Sequence, residues 1–120
     1  MKISLPDDCG NAPRIGITND IVAAWARGDR EVLDEWSAED IEWEWAGSDD
    51  PVPVDGEPGL FPGVVPDVLT IENTISHGKF ASSHGFFVQE NSVTDFALFF
   101  RFKSAGKQAK VASVKGFLSN

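Results

Sequence analysis

A short stretch of strict alternation constrains the fold of this chain more than any other feature. Residues 40–45 read Asp-Ile-Glu-Trp-Glu-Trp, so Ile41, Trp43 and Trp45 lie on one face of an extended strand and two glutamates lie on the other. One face of this strand is therefore expected to be buried. Two indoles on one face exceed what a flat sheet needs, and they predict a curved sheet around a deep apolar interior.

Length and composition predict one folded domain over residues 1–120. The chain has 120 residues, of which 42% are hydrophobic and 24% charged, enough for an apolar core and too apolar for global disorder. The single cysteine, Cys9, excludes an intrachain disulfide and a thiolate zinc site. Two histidines without a cysteine cluster disfavour a zinc site, although carboxylates could complete one in three dimensions. We expect no metal, and no cofactor either.

Charge is unevenly distributed along the chain. The first 57 residues carry 15 of the 19 acidic side chains and four of the 10 basic ones, within a net charge of -9. The acidic N-terminal half would repel nucleic acid and anionic membrane surfaces, so neither is expected as a partner. Residues 1–8 lack the apolar run of a signal peptide, and no later segment reads as a membrane span, which predicts a cytoplasmic location.

Two helices are predicted before the alternating strand. Apolar residues recur at helical spacing from Ile17 to Trp25, with Asn11 as the N-cap and Gly28 as the stop. Asp29 then caps a short second helix. The apolar face of this second helix consists of Val32, Leu33 and Trp36.

A segment rich in proline and glycine follows the strand. Residues 47–66 hold five of the seven prolines and four of the 11 glycines, so no regular element is predicted there. Irregular connections of this length are uncommon in compact domains and are often functional. The apolar residues that would cover the mouth of a pocket are Leu60, Phe61, Val64 and Val65.

The second half of the chain has the period-two pattern of strands. In the first of these, Leu69, Ile71, Asn73, Ile75 and His77 share a face, so an amide and an imidazole are expected among apolar side chains. The strand that begins at residue 93 is apolar on both sides at its centre and is expected inside the sheet. The predicted strands cover residues 68–77, 80–89, 93–103 and 108–118, joined by turns.

The order of these elements carries a family resemblance over about residues 12–118. The helix, the Ala26-Arg27-Gly28-Asp29 turn, the short helix, the Asp40-Ile41-Glu42-Trp43 strand, the Ser76-His77-Gly78-Lys79 hairpin and the Phe-rich strand look like the NTF2-like superfamily with its SnoaL-like members. The resemblance implies an α+β fold, a cone-shaped curved antiparallel sheet wrapped around N-terminal helices. It also implies an apolar pocket at the open end and a homodimer that forms through the outer sheet face.

One departure limits what the resemblance implies for the site. Relatives carry a helix between the first strand and the strand pair, where this chain has the segment 47–66. No family active site is therefore carried over to this sequence. Members of the superfamily include steroid isomerases, polyketide cyclases, epoxide hydrolases, dehydratases and proteins that only bind or assemble, so the fold does not choose the function.

Two side chains are candidates for acid–base catalysis. His77 lies on the predicted apolar face, where desolvation would favour a neutral imidazole able to act as base or donor; alternatively, it is a strand-end histidine satisfied by backbone or water. Asp95 shares a face with Ala97, Phe99 and Arg101, where an enclosed carboxylate would abstract a proton beside a carbonyl. Alternatively, Asp95 is an exposed residue at the start of a strand.

Aromatic and amide side chains are candidates for binding a small apolar ligand. All four tryptophans fall between Trp25 and Trp45, and core packing accounts for some of them, while others would line a cavity with the indole NH directed at a ligand. The Asn73 amide would orient a ligand carbonyl or bond locally. The predicted ligand-binding residues are Trp25, Trp43, Trp45, Asn73 and Phe99.

Two functions of different classes remain open. The first is a noncatalytic domain whose apolar pocket binds a small hydrophobic molecule, or whose interior is filled by side chains. Such a domain is expected to pair with a second copy through an apolar outer face from the strands at residues 93–118. The second is a SnoaL-like or ketosteroid-isomerase-like enzyme acting on a carbonyl, epoxide or polycyclic substrate. The isolated polar groups of this chain favour the first.

Overall fold

Two helices pack against one six-stranded sheet in the computed structural model, which describes residues 1–6, 13–47 and 60–119. The helices are α1 (Pro13–Arg27) and α2 (Arg30–Trp36). The strands are β1 (Lys2–Ser4), β2 (Ser37–Trp45), β3 (Val68–His77), β4 (Phe80–Gln89), β5 (Ser92–Phe102) and β6 (Val111–Ser119). They form a curved sheet in the order β1-β3-β4-β5-β6-β2, which confirms the predicted α+β class.

The first predicted helix ends, and the second begins, at the residues that the sequence marks. Gly28 follows α1 with a φ of 74°, a left-handed conformation that glycine adopts without steric strain. Asp29 caps α2, because its Oδ1 accepts a hydrogen bond from the Val32 amide at 3.2 Å. The predicted N-cap of α1, Asn11, lies outside the described residues.

The centre of the sheet is antiparallel and its two edges are parallel. The pairs β3–β4, β4–β5 and β5–β6 are antiparallel, and β5 lies inside the sheet as predicted. β1 joins β3 in parallel and β2 joins β6 in parallel, so the sheet is mixed rather than antiparallel throughout. The chain leaves β2 at one edge and enters β3 near the other, and this crossing requires a long connection.

The concave face of the sheet carries the core, and α1 covers it. Trp43 is buried and Trp45 is half-buried, both against the core, whereas Glu42 and Glu44 between them are exposed, so the predicted orientation of β2 is confirmed. The fully buried large side chains include Trp25, Trp43, Phe100, Phe102, Ile21, Leu60, Leu69, Ile71 and Leu98.

A bulge in β3 overturns the face predicted for Asn73 and His77. The register shifts between Ile71 and Asn73, which adds one residue to this strand. Up to Ile71 the inward residues are those predicted; after the bulge Thr74 points inward, and Asn73, Ile75 and His77 are exposed. The prediction that Asn73 and His77 face the interior is therefore wrong, because one extra residue reverses the alternation.

A buried hydrogen-bond network stabilises the bulged conformation. The Thr74 hydroxyl donates to Asn19 Oδ1 at 2.6 Å and lies 3.0 Å from the Ser83 hydroxyl. All three side chains are buried. The network joins α1 to β3 and β4, and it satisfies polar groups that would be costly to bury unpaired.

The connection between β2 and β3 is described only from residue 60. Residues 60–67 form neither helix nor strand, as predicted, and residues 48–59 lie outside the described part of the chain. Leu60 is buried in the core and Phe61 is half-buried. Val64 and Val65 are exposed, so of these four residues Leu60 packs most deeply, and a role for them at the mouth of a pocket stays a prediction.

Candidate functional site

The rings predicted to line a cavity pack against one another. The Trp25 ring centroid lies 5.8 Å from that of Trp45, 6.0 Å from Phe87 and 5.7 Å from Phe96. Trp25 is 0% exposed and Trp43 is 1% exposed. Ring pairs at these separations are in contact, so no ligand fits between their members.

The indole NH of Trp25 has a partner within the protein. Trp25 Nε1 donates a hydrogen bond to the Leu60 carbonyl oxygen at 2.8 Å, and so is not directed at a ligand. The Trp43 and Trp45 rings also contact each other, at 6.0 Å between centroids. A ligand-binding role for Trp25, Trp43 and Trp45 stays a prediction, whereas their packing gives them a role in the core.

Large apolar side chains are exposed on the opposite, convex face of the sheet, which we call the outer face. Ile75 is 59% exposed, Phe80 52%, Phe99 50% and Phe117 43%. The Phe99 and Phe117 rings meet edge to face at 5.7 Å. The predicted apolar outer face is therefore present in the described strands, and Phe99, predicted to bind a ligand in the interior, lies on this outer face.

Hollows open on the outer face around these rings, and three of them bear on function. The first, the apolar hollow, has a volume of about 230 Å³ and lies beside the β3–β4 turn. It is lined mainly by carbon atoms, and His77 is at its border. Residues that line the apolar hollow include Ile75, His77, Phe80, Ser82 and Phe99.

The other two hollows are charged. The acidic hollow has a volume of about 470 Å³, and its lining includes Glu72, His84, Asp95, Ala97 and Phe117. The mixed hollow has a volume of about 330 Å³ and carries charges of both signs. Its lining includes Glu42, Glu44, Phe99, Arg101, Ser113 and Lys115.

The two predicted catalytic residues lie in different hollows. His77 borders the apolar hollow and Asp95 borders the acidic hollow, and both are exposed. His77 is opposite Phe80, which is opposite Arg101, six residues along β5 from Asp95. At about 3.3 Å per residue this separation is roughly 20 Å along the strand. His77 and Asp95 therefore do not converge on one reacting atom. Asn73 is exposed opposite His84 and lines neither the apolar nor the acidic hollow.

The acidic hollow holds the other histidine beside a carboxylate. His84 Nδ1 lies 4.0 Å from Glu72 Oε1, and both side chains are about half exposed. Contacts between exposed charges of this kind contribute little to stability. Within residues 1–6, 13–47 and 60–119, no group of three His, Cys, Asp or Glu side chains is placed to hold a metal ion.

Asp40, an exposed carboxylate of β2, is held in its ionised form. Its Oδ2 accepts a hydrogen bond from Lys103 Nζ at 3.0 Å. This bond and the backbone hydrogen bond of Asp40 lower the pKa of the Asp40 carboxyl. A carboxylate with a lowered pKa is a weaker base, so Asp40 is poorly suited to abstract a proton near neutral pH.

Arg14 is a buried charged residue that sequence reasoning missed. Its Nη2 donates to the Gly106 carbonyl at 2.8 Å, and the guanidinium lies 3.9 Å from the centroid of the Phe102 ring. Burial lowers the pKa of Arg14. The sequence did contain a hint that Arg14 is unusual, because it lies in the first turn of a predicted helix. The helix dipole disfavours a cation there, so the arginine requires another partner. Through these contacts Arg14 connects α1 to the turn after β5.

The helices of the described residues are too short or too polar to cross a membrane. This holds for α1 and α2 alike, since α1 is 15 residues long and α2 seven. A span of the bilayer core needs about 20 apolar residues.

Comparison of structures identifies the fold. The chain is similar to an NTF2-like protein of unknown function from Cytophaga hutchinsonii ATCC 33406, with a TM-score of 0.63 and 15% identity over 87% of this chain and 97% of that chain. An NTF2-like protein of unknown function from Burkholderia xenovorans LB400 aligns with a TM-score of 0.67 and 13% identity over 90% of this chain and 86% of that one. The chain therefore has an NTF2-like fold.

A third similar structure has a name that refers to an activity. It is a protein of Shewanella frigidimarina NCIMB 400, named only provisionally as a ketosteroid isomerase, with a TM-score of 0.50 and 15% identity over 88% of this chain and 95% of that chain. No protein-family model and no curated protein sequence matches the chain. At these identities, the likeness shows the fold alone.

Proposed function

We propose that this chain is a noncatalytic binding and assembly domain that works through the outer face of its sheet. One observation carries the proposal: Phe80, Phe99 and Phe117 are each about half exposed on that face. On the other face, Trp25 and its neighbouring rings fill the space between helix and sheet. Apolar surface that a chain leaves exposed in this way marks an interaction site.

A second copy of the chain is the proposed partner. An aromatic side chain buries about 150–250 Å², so several half-exposed rings and aliphatic residues present roughly 400–600 Å² of apolar surface. The largest apolar patch on a typical monomer measures about 300–600 Å², so this patch lies at the upper end of that range. It is large enough to form the core of a standard interface, which buries about 800 Å² per partner. The acidic N-terminal half disfavours nucleic acid and membranes as partners. The proposed location is the cytoplasm.

The pairing is expected to depend on Phe99, at the centre of the outer face. Wild-type protein should sediment as a dimer at micromolar concentration, and Phe99→Glu should sediment as a monomer because pairing would bury its carboxylate in apolar surroundings. Val64→Glu is the matched control, since Val64 is a 64% exposed apolar residue outside the sheet. It is expected to leave the dimer intact.

The results that would contradict this proposal are specific. Wild-type protein that remains monomeric up to about 100 μM would have an affinity too weak for a stable dimer, and the assembly function would be lost. Equal dimerisation of wild type and Phe99→Glu would remove the outer face as the interface. Circular dichroism of both variants shows whether each retains the fold.

A small apolar ligand is the second candidate, favoured by the apolar hollow. Its volume of about 230 Å³, walled by Ile75, Phe80 and Phe99, is below the range of about 300–1,000 Å³ typical of ligand pockets. Native mass spectrometry of the purified protein distinguishes the two functions. A retained molecule of stoichiometric amount supports ligand binding, and unmodified chain in pairs supports assembly.

The alternative of an acid–base enzyme has less support. A catalytic site needs an acid or base, an orienting group and a sheltered reacting atom in mutual reach. His77 and Asp95 occupy separate, open hollows, and Asp40 is held by Lys103. Among the hollows lined by the described residues, none contains two of these three groups.

A further inference from the structure

The outer face carries projections and hollows that match each other under a two-fold rotation. We infer that two copies pair with their β5 strands antiparallel and Phe99 facing Phe99, so that Arg101 of each copy enters the acidic hollow of the other. The inference rests on the proposed assembly function and adds to it a defined register and a charged contact. It follows from the cross-strand pairing of the outer face.

Residues of the outer face fall into three rows across the strands. The central row contains Phe99, and the rows on either side contain Arg101 and Ala97. The arginine row consists of His77, Phe80, Arg101 and Ser113. The central row consists of Ile75, Ser82, Phe99 and Lys115, and the alanine row of Asn73, His84, Ala97 and Phe117.

A two-fold axis along the central row exchanges the two outer rows. On β5, Arg101 then comes opposite Ala97, and on β6, Phe117 comes opposite Ser113. On these two strands a large side chain faces a small one, whereas on β4 the same axis brings Phe80 opposite His84. Ala97 lines the acidic hollow and Ser113 lines the mixed hollow, so both large side chains meet existing space. Such self-complementarity is what an isologous interface requires.

Charge selects the same register. The Arg101 side chain is exposed and forms no hydrogen bond or close ion pair with the side chains of the described residues, although its charge acts on Asp40 of its own chain at longer range. The acidic hollow presents the carboxylates of Glu72 and Asp95 around Ala97. A guanidinium binds carboxylates through directed, paired hydrogen bonds. Arg101 and the acidic hollow therefore complement each other across the interface.

Lys115 and Glu44, which pair in register at the end of the central row, are neighbouring charges of opposite sign near the axis. Lys115 lies in the central row, where it would approach Lys115 of the second copy. Within its own chain, Lys115 Nζ lies 4.0 Å from Glu44 Oε1, which reduces the repulsion between the two copies.

Charge reversal tests the register. Arg101→Glu and Asp95→Arg are each expected to raise the dimer dissociation constant about 100-fold or more, because each places like charges together at two symmetric contacts. An equimolar mixture of the two variants is expected to form a heterodimer of nearly wild-type affinity. In that heterodimer the two substituted side chains, of opposite charge, meet at one contact, and the native Asp95 and Arg101 meet at the other.

Controls and outcomes separate this inference from the proposed function. Lys107→Glu and Glu31→Arg make the same charge changes at exposed positions outside the sheet and are expected to leave dimerisation unchanged. If wild type is monomeric, the assembly function itself fails. If wild type is dimeric but both reversals dimerise equally well, or if the mixture of variants stays monomeric, the register is overturned. Native mass spectrometry measures all these states in one experiment.

Discussion

Replacing Trp25 by alanine is expected to lower the free energy of unfolding by about 3–5 kcal/mol, the range observed when a large buried ring is removed. Trp25 is fully buried, its ring contacts Trp45, Phe87 and Phe96, and its NH holds the Leu60 carbonyl. The substitution therefore leaves a cavity between several rings and an unpaired carbonyl. Urea unfolding followed by circular dichroism measures the change.

Trp36 provides a matched control for this substitution. It is half-buried, with Lys110 Nζ 5.4 Å from its ring, so Trp36→Ala is expected to lose only about 1–2 kcal/mol. Similar losses for Trp25→Ala and Trp36→Ala would mean that Trp25 lines open space instead of filling it. That result would restore the internal cavity as the candidate ligand site.

Replacing Gly85 by alanine is expected to destabilise the fold by about 3 kcal/mol or more, because the added carbon overpacks a site walled by backbone. A Cβ at this position would lie 1.9 Å from the Thr70 carbonyl oxygen and 3.0 Å from the Ile71 Cα. Both atoms belong to β3 next to its bulge, and no side-chain rotation relieves the contact. Thermal and urea unfolding of the variant measure the loss.

Substitutions at Gly16 and Gly116 provide comparisons for Gly85→Ala. Gly16 is exposed within α1 with open space around its Cβ position, so Gly16→Ala should raise stability by about 0.5–1 kcal/mol. A Cβ on Gly116 would meet the Trp45 ring at 2.2 Å, a contact that Trp45→Leu in the same chain should partly relieve. A Gly85→Ala variant as stable as wild type would show that β3 and β4 do not approach in this way.

Local patterns predicted those elements whose form depends on neighbouring residues in the chain. The alternation around Trp43 fixes which face of β2 is buried, because side chains of a strand alternate whatever it pairs with. The Gly28-Asp29 pair ends one helix and caps the next through bonds that span three residues. The β3–β4 turn at Gly78, with a φ of 61°, is equally local.

The bulge and the parallel edges depend on contacts that periodicity does not contain. Asn73 and His77 follow an apparently unbroken alternation, yet the bulge puts both outside while Thr74 turns inward to bond Asn19 on α1. This partner lies 55 positions away in the sequence. The pairing of β2 with β6 likewise joins distant segments, and β1 has only three residues, too few for a periodic signal.

Alternation predicted that both faces of the sheet carry apolar side chains, but not what each face does. Trp43 and Trp45 correctly indicated an apolar interior, but alternation does not show whether rings fill that interior or surround a space, since this depends on packing in three dimensions. The outer face was foreseeable in β5, where Phe99 makes both sides of the strand apolar. Alternation placed Asp95 and Arg101 on one face of β5, but the position of Glu72 near Asp95 depends on the pairing of β3, β4 and β5, which the pattern of a single strand does not contain.

Hydroxyl-radical footprinting at two protein concentrations tests most directly whether the outer face is the working surface. Labelling of Phe80, Phe99 and Phe117 is expected to fall sharply between a submicromolar sample and one of about 100 μM, the span over which a micromolar dimer forms. Val64 and Leu5, exposed elsewhere, should label equally in both samples. Concentration-independent labelling of the three phenylalanines would contradict the account, because it would leave the outer face uncovered.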